Sequence, residues 1–217
     1  MSLRVAQRID RMAIEQFGIP RLLLMDHAGL AVADVARTFL TASPSRPRKV
    51  VALCGSGYNG GDALSAAWHL HHAGYPVAAL HLDAPFRDEP GQFAAILRAL
   101  RVPLINTSTL TDAQLLARLR GCLAIDGLLG IGLRGNVRPD ARRLIASANA
   151  HADAAIAADV PSGLDADTGR IHGDAIRAAV TVTFGRPKRG LFLREGPAVT
   201  GRLLTADIGL PSATAPR

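Results

Sequence analysis

Three widely separated stretches each bring an acid or a polar cluster to the end of a short apolar run. Residues 50–54 lead into Gly55-Ser56-Gly57-Tyr58-Asn59-Gly60-Gly61-Asp62. Residues 122–125 lead into Asp126-Gly127-Leu128-Leu129-Gly130-Ile131-Gly132-Leu133-Arg134-Gly135, and residues 154–158 into Asp159-Val160-Pro161-Ser162-Gly163-Leu164-Asp165. Short apolar runs of this kind read as strands buried on both faces, and open parallel sheets bind ligands beyond the carboxyl ends of their strands. One such acid could be a turn or a cap. Three together point to a single convergent site capable of acid–base or cation chemistry.

The spacing Gly55-x-Gly57-x-x-Gly60 matches the dinucleotide fingerprint, a weak signal on its own. Glycines there let the backbone turn sharply and let a ligand approach the amides, and a helix N-terminus beyond them favours anions. Asp62 complicates that picture. Placed in the first helical turn, its carboxylate would repel a pyrophosphate, so it suits hydroxyls, a ribose or a cation, or acts simply as a helix cap. Asp83, at the end of the next strand, is either a ribose ligand or a surface carboxylate. His27 and Asp26 interrupt an apolar helix opening, where a lone His reads first as a satisfied packing residue. Lys188, in the loop Gly185-Arg186-Pro187-Lys188-Arg189-Gly190, reaches a phosphate or carboxylate or is a solvated charge.

The elements that must position these groups alternate in type. Residues 4–17 form an amphipathic helix with Val5, Ile9, Met12, Ala13 and Phe17 at helical spacing, and residues 22–39 form a second helix. A Pro-rich connector over 41–48 leads to the first strand. Further strands are expected at 77–82, 102–105, 122–125, 154–158, 180–184 and 201–206, with helices at 63–73, 90–100, 112–120 and 140–150. Alternating strands and helices predict an α/β fold, a Rossmann-like three-layer αβα sandwich on a mostly parallel central sheet. All 217 residues form one domain: N-terminal helices over 1–40, the core over 48–211 and a tail over 212–217.

Composition excludes several classes. With 48% hydrophobic residues there is ample core, yet no apolar run approaches the roughly 20 residues of a membrane span. The chain reads as soluble and cytoplasmic, with Cys54 and Cys122 as buried thiols in a reducing compartment. The net charge of +7 comes from scattered arginines, and aromatics make up only 4% of the chain. That argues against nucleic acid as a partner.

As a set, these motifs resemble the YjeF N-terminal domain family, the NAD(P)H-hydrate epimerases. The resemblance also takes in Leu24-Met25-Asp26-His27-Ala28-Gly29 and Asp207-Ile208-Gly209-Leu210-Pro211. It implies a stand-alone isomerase of nicotinamide nucleotide repair. The enzyme would interconvert the R and S forms of hydrated NADH or NADPH for a separately encoded dehydratase, the hydrate being substrate rather than cofactor. It implies a substrate site at Tyr58, Asn59, Gly60, Gly61, Asp62, Gly130, Ile131, Gly132, Leu133, Arg134, Gly135, Asn136 and Asp159. One potassium ion per subunit would sit at Asn59, Asp126 and Ser162, an oxygen set of the kind hard cations prefer. Relatives are commonly dimeric, and the apolar residues 22–25 could supply such a face. Tyr58 and His27 stand where the family usually has Asn, and Asp26 where it has Glu.

Inverting a hydroxyl on a carbon beside a ring nitrogen is acid–base work on a carbinolamine, with Asp126 and Asp159 as the candidate groups. Asp159→Asn is expected to abolish it and leave the fold intact. Two other readings stay open: a non-catalytic nucleotide- or protein-binding scaffold of the same fold, and an NAD(P)-dependent oxidoreductase using the glycine turn with Asp83.

Overall fold

The computed structural model describes residues 1–42, 49–130, 132 and 135–211. Seven strands form one sheet: β1 (Lys49–Cys54), β2 (Val77–His81), β3 (Leu104–Asn106), β4 (Cys122–Gly127), β5 (Ala154–Ala158), β6 (Val180–Phe184) and β7 (Arg202–Ala206), in the order β3-β2-β1-β4-β5-β6-β7. The sequence predicts a mostly parallel sheet; every pairing is in fact parallel. The chain runs outward from β1 to β3, then returns to β4 on the other side of β1. The crevice between β1 and β4 is therefore the point where strand order reverses, and the loops leaving their carboxyl ends part around it.

Alternate strand residues serve two apolar layers. Val50, Ala52, Cys54, Leu123, Ile125 and Ile156 pack against α2 (Arg21–Thr41), α3 (Tyr58–His72) and α4 (Asp88–Ala99). Val51, Leu53, Ala124, Ala155 and Ala157 pack against α5 (Asp112–Leu119) and α6 (Pro139–His151). Fully buried strands explain the near-continuous apolar runs. A third, smaller cluster of Val160, Leu164, Leu191 and Val199 stiffens the segment between β5 and β7, where α7 (Gly196–Thr200) lies.

The N-terminal helix α1 (Leu3–Glu15) departs from the expected stripe. Ala6, Ile9 and Ala13 are buried, whereas Val5 and Phe17 are exposed. The inward face is thus rotated toward smaller residues, which lets the helix lie close over the carboxyl rim of the sheet. Leu3 N donates to Asp167 Oδ1 at 2.8 Å, and Arg189 N donates to the Met1 carbonyl at 2.9 Å. Gly18, at φ +65°, turns the chain into α2.

Helices α2 and α3 meet across Gly29, where an added Cβ would lie 2.3 Å from Ser65 Oγ and 2.7 Å from the Ala66 backbone nitrogen. On this contact Asp26 accepts from Ser65 Oγ at 3.1 Å and pairs with His69 Nε2 at 2.8 Å. His27 Nδ1 lies 3.0 Å from the Ile208 carbonyl, tying α2 to the C-terminal segment as a packing residue. Gly29→Ala should lower stability by about 1–3 kcal/mol through overpacking. The urea midpoint measures this, and an unchanged midpoint would show that the two helices do not meet there.

Candidate functional site

Beyond the β1–β4 crevice lies a cavity of about 960 Å³, at the upper end of the range for ligand sites. Its wall is assembled from the loops after β1, β4, β5 and β6 together with α1, α2 and α3. Tyr58, Asn59, Gly60, Asp62, Gly130, Gly132, Asn136 and Asp159 all line it, so most of the expected substrate residues meet in one place. Gly61 does not: it faces Met25 and Pro90, where a Cβ would lie 2.4 Å from the Met25 sulfur. Gly135 is a left-handed turn residue off the wall, at φ +69°. Ile131, Leu133 and Arg134 lie outside the described residues.

The glycine turn works through close approach. A Cβ on Gly60 would sit 1.9 Å from the Gly55 carbonyl oxygen, so α3 starts tight against the strand end. The helix begins at Tyr58, with Gly57 as N-cap and no acidic residue in its first turn. This corrects the expected place of Asp62, which is the fifth helical residue rather than a cap. The first-turn amides, which have no partner within a helix, are left with no side-chain cap and suit an anion. At the same rim the Tyr58 hydroxyl accepts from Arg21 Nη1 at 2.6 Å, and the guanidinium stacks 4.6 Å from the ring centroid.

Asp159 follows β5 in the left-handed region at φ +65°, uncommon for a residue other than glycine and a feature that clusters at functional sites. Its Oδ1 accepts from Thr183 Oγ1 at 3.1 Å, from Phe184 N at 3.0 Å and from the Lys188 ammonium. Lys188 is 3% exposed and also donates to the Phe184 carbonyl at 3.0 Å. Lys188 is therefore the buried counter-ion of Asp159 rather than a solvated charge. All of these donors converge on Oδ1, which leaves Oδ2 for the cavity.

Asp126 behaves differently. It is 0% exposed and does not line the cavity. Oδ1 accepts from Ser162 Oγ at 2.5 Å and from Leu128 N at 3.2 Å, and Oδ2 from Ser162 N at 2.8 Å. Burial pushes its carboxyl up to about 6, against the pull of those hydrogen bonds. This corrects the expectation that Asp126 exchanges protons with substrate, because no atom of it has a face on the cavity. It knots the loops instead: Leu129 N donates to Ser162 Oγ at 2.8 Å, and Asn59 Nδ2 donates to the Leu129 carbonyl at 3.0 Å. Of the expected cation set, Asn59 and Ser162 thus meet at Leu129, and Asp126 is tied to Ser162 and to the neighbouring Leu128.

Asp62 and Asp10, the latter from α1, line the cavity beside Asp159. Burial first, and then the charges of Asp159 and Asp10, hold the Asp62 carboxyl well above the ordinary carboxylate range. Asp10 is raised as well, mainly by burial. Asp10 had no signal in the sequence, since it reads as part of a solvated helix face. Asp83 is not a wall residue: it is exposed and accepts from Asn106 Nδ2 at 2.7 Å. That removes the ribose acid from the oxidoreductase reading.

Residues 21–190 match the family model described as YjeF-related protein N-terminus. The chain is 38% identical to the NAD(P)H-hydrate epimerase of Limosilactobacillus fermentum, with 91% of each chain covered. It is 32% identical to the NAD(P)H-hydrate epimerase of Rhodopirellula baltica, over 97% of this chain and 84% of that one. It is also 38% identical to the bifunctional NAD(P)H-hydrate repair enzyme of Salinibacter ruber, over 94% of this chain but only 40% of that protein. Among solved structures, the crystal structure of yeast ynu0 is 25% identical with a TM-score of 0.77, covering 95% of this chain and 86% of that one.

The Asp159–Lys188 pair corrects the expectation that removing Asp159 would leave the fold untouched. Breaking one side of a buried pair typically costs about 3–5 kcal/mol. Asp159→Ala should therefore lower the denaturation midpoint substantially, and Asp159→Ala/Lys188→Met should recover much of the loss. Equal stability of the single and double variants would show that Lys188 does not depend on Asp159.

Proposed function

The chain belongs to the YjeF-related N-terminal family, and from that premise we propose that it is an epimerase of hydrated nicotinamide nucleotides, acting on R and S forms of hydrated NADH or NADPH. The observation that carries this reading is the unequal wall of its cavity. Open helix amides stand beside Tyr58 and Arg21, the latter also facing Asp10, and the same wall carries the carboxyls of Asp10, Asp62 and Asp159 with Lys188. A dinucleotide has matching ends: phosphates suit the α3 N-terminus, and a ring that becomes cationic when its hydroxyl departs suits the acids.

In this mechanism the ionised Asp159, held by Lys188, presents Oδ2 to the developing iminium. The substrate hydroxyl takes a proton from an acid on the cavity wall and leaves as water while the ring nitrogen's lone pair forms the iminium; water then adds to the opposite face and the proton is given back. Asp159→Asn removes the charge at the reacting end and should lower kcat by about 10²–10³-fold, by analogy with the loss of one electrostatic stabiliser. The readout is consumption of the R hydrate in the presence of an S-specific dehydratase. Undiminished turnover would take Asp159 out of the mechanism. A wild-type protein that leaves the hydrate mixture unchanged would favour the non-catalytic scaffold, which the exposed Tyr58–Arg21 stack could serve equally well.

The buried Asp126 has no cationic side chain among its hydrogen-bond partners, the Ser162 hydroxyl adds an oxygen beside it, and Asn59 is held to the same loop through the Leu129 carbonyl. Such a set fits a potassium ion, one per subunit, held by Asn59, Asp126 and Ser162. When bound, the ion would neutralise Asp126 and fix the two loops that frame the cavity. Potassium should raise the melting temperature in a concentration-dependent way, and Ser162→Ala should weaken the effect. Identical melting in potassium and choline chloride would rule the site out.

The same reading makes a dehydratase the functional partner and the cytoplasm the working compartment; among the described residues no helix is long and apolar enough to cross a membrane. A homodimer through α2 would use Leu23 and Leu30, which are exposed, because Leu24 and Met25 are already buried in the chain's own core.

A further inference from the structure

One group on the cavity wall is left without work by the mechanism so far. Asp62 is partly buried on α3, and among the described residues no hydrogen bond or ion pair holds its carboxyl. Asp10 is in the same position on α1, and both line the cavity next to Asp159. Asp10 also lies outside the matched segment 21–190, so α1 brings something to the site that the matched part of the chain does not contain.

Three carboxyls face one another in this part of the cavity, with Lys188 and, toward Asp10, Arg21 as the cations, and Asp159 holds the lysine through Oδ1. Like charges at short range in a partly desolvated space cannot all be carried at once, and one carboxyl keeps its proton. Asp159 has the Lys188 ammonium and two further donors on its Oδ1. Among the described residues Asp10 and Asp62 have no such donors, and the proton stays with them.

We infer that Asp10 and Asp62 hold one proton between them opposite the Asp159–Lys188 pair, and that Asp62 is the general acid and base of the epimerisation while Asp10 sets its proton affinity. This rests on the epimerase reading. The Asp62 carboxylic acid gives its proton to the substrate hydroxyl and the C–O bond breaks, releasing water. The ring nitrogen's lone pair forms the C=N⁺ bond. Water then adds to the other face, the C=N⁺ electrons return to nitrogen, and the added water's proton goes back to Asp62. One water leaves and one enters, and the proton on loan is restored. Asp10 is a positioning residue: it touches the chemistry only through its neighbour.

The groups facing the pair come from every element around it. Asp62 sees Asp159 after β5, Lys188 after β6 and Asp10 on α1. Asp10 sees Lys188, Asp159 and Arg21 on α2. Arg11, Glu15, Arg138 and the Met1 amino group complete the charged groups on the wall. Both acids are raised chiefly by burial, in keeping with a retained proton.

The test uses the full chain as wild type, Asp62→Asn, Asp10→Asn and Asp10→Glu. Activity is followed as a pH profile of kcat and KM in the dehydratase-coupled assay, and the free protein is examined by infrared spectroscopy at neutral pH for a protonated-carboxyl C=O band. Asp62→Asn should lose about 10²–10⁴-fold in kcat, the usual share of a general acid–base group, with KM little changed. The active form carries the proton, so the rate falls as pH rises. Asp10→Asn removes a negative neighbour, and its high-pH limb should move to lower pH. Asp10→Glu restores the charge and should bring the limb back. The infrared band should be present in wild type and lost in Asp62→Asn. Full kcat in Asp62→Asn, an unmoved limb in Asp10→Asn, or a wild-type protein without the band would each overturn the inference. If the wild type shows the band but epimerises nothing, the functional reading and the catalytic half of the inference both fail, and the shared proton stands.

Discussion

Taking a carboxylate out of water costs several kcal/mol unless something beside it compensates, and the carboxyl rim of this sheet is arranged around that cost. The acids there meet it in different ways. Asp159 has a buried ammonium in Lys188 and two neutral donors. Asp126 is fully buried and, among the described residues, relies on two donors from Ser162 and one from Leu128. Among the described residues Asp62 and Asp10 have no donors, so the least costly arrangement is to keep one proton between them. Each solution fixes a role. An ion pair holds a permanent charge, a fully bonded carboxylate holds loops, and an unbonded acid has a proton to give.

The sheet topology makes these arrangements possible. Because β1 and β4 are neighbours while their connections run to opposite edges, the loops after them separate and leave the crevice open. Ser162, from the loop after β5, reaches under the β4 loop to Asp126, and Asn59 reaches over from α3 to the Leu129 carbonyl. Two turns far apart in sequence are thereby held by hydrogen bonds whose partners are largely shielded from water, where such bonds are electrostatically stronger. The α3 N-terminus is fixed just as firmly, since the absence of a Cβ at Gly60 lets it rest on the Gly55 carbonyl.

Much of this was legible in the sequence because buried parallel strands leave plain marks. The runs ending in Asp126 and Asp159 were apolar at every position, so the acids stood out as exceptions at strand ends. Which way each acid points left no such mark. Asp126 is still within β4, level with Leu53 and Ala157, and is turned into the loop knot, whereas Asp159 lies just past β5 and is turned, through a left-handed φ of +65°, toward the cavity. Asp62 was misplaced because the glycines of Tyr58-Asn59-Gly60-Gly61 read as a loop, whereas tertiary packing draws them into the first turn of α3 and overrides their poor helix propensity. Asp10 was invisible for a simpler reason. A charged residue one place from the apolar stripe of an amphipathic helix looks the same in sequence whether the helix faces solvent or a cavity.

The polarity of the cavity bears on the choice between reactions. A hydride-transfer site needs the nicotinamide ring to gain and lose positive charge next to a substrate carbonyl, and a Rossmann ribose acid to orient the cofactor. Here the only acid at the end of β2 is bonded to Asn106, and the acids that do reach the cavity are gathered at one end. Asp10, Asp62 and Asp159 outnumber Lys188 there, so that end favours a cation that forms and disappears within one turnover. Arg21 faces Asp10 from α2 and also holds the Tyr58 hydroxyl beside the first-turn amides of α3, where an anion can stay throughout. A ligand with a permanent anion at one end and a transient cation at the other satisfies both ends at once, and a hydrated nicotinamide dinucleotide losing its hydroxyl is such a ligand.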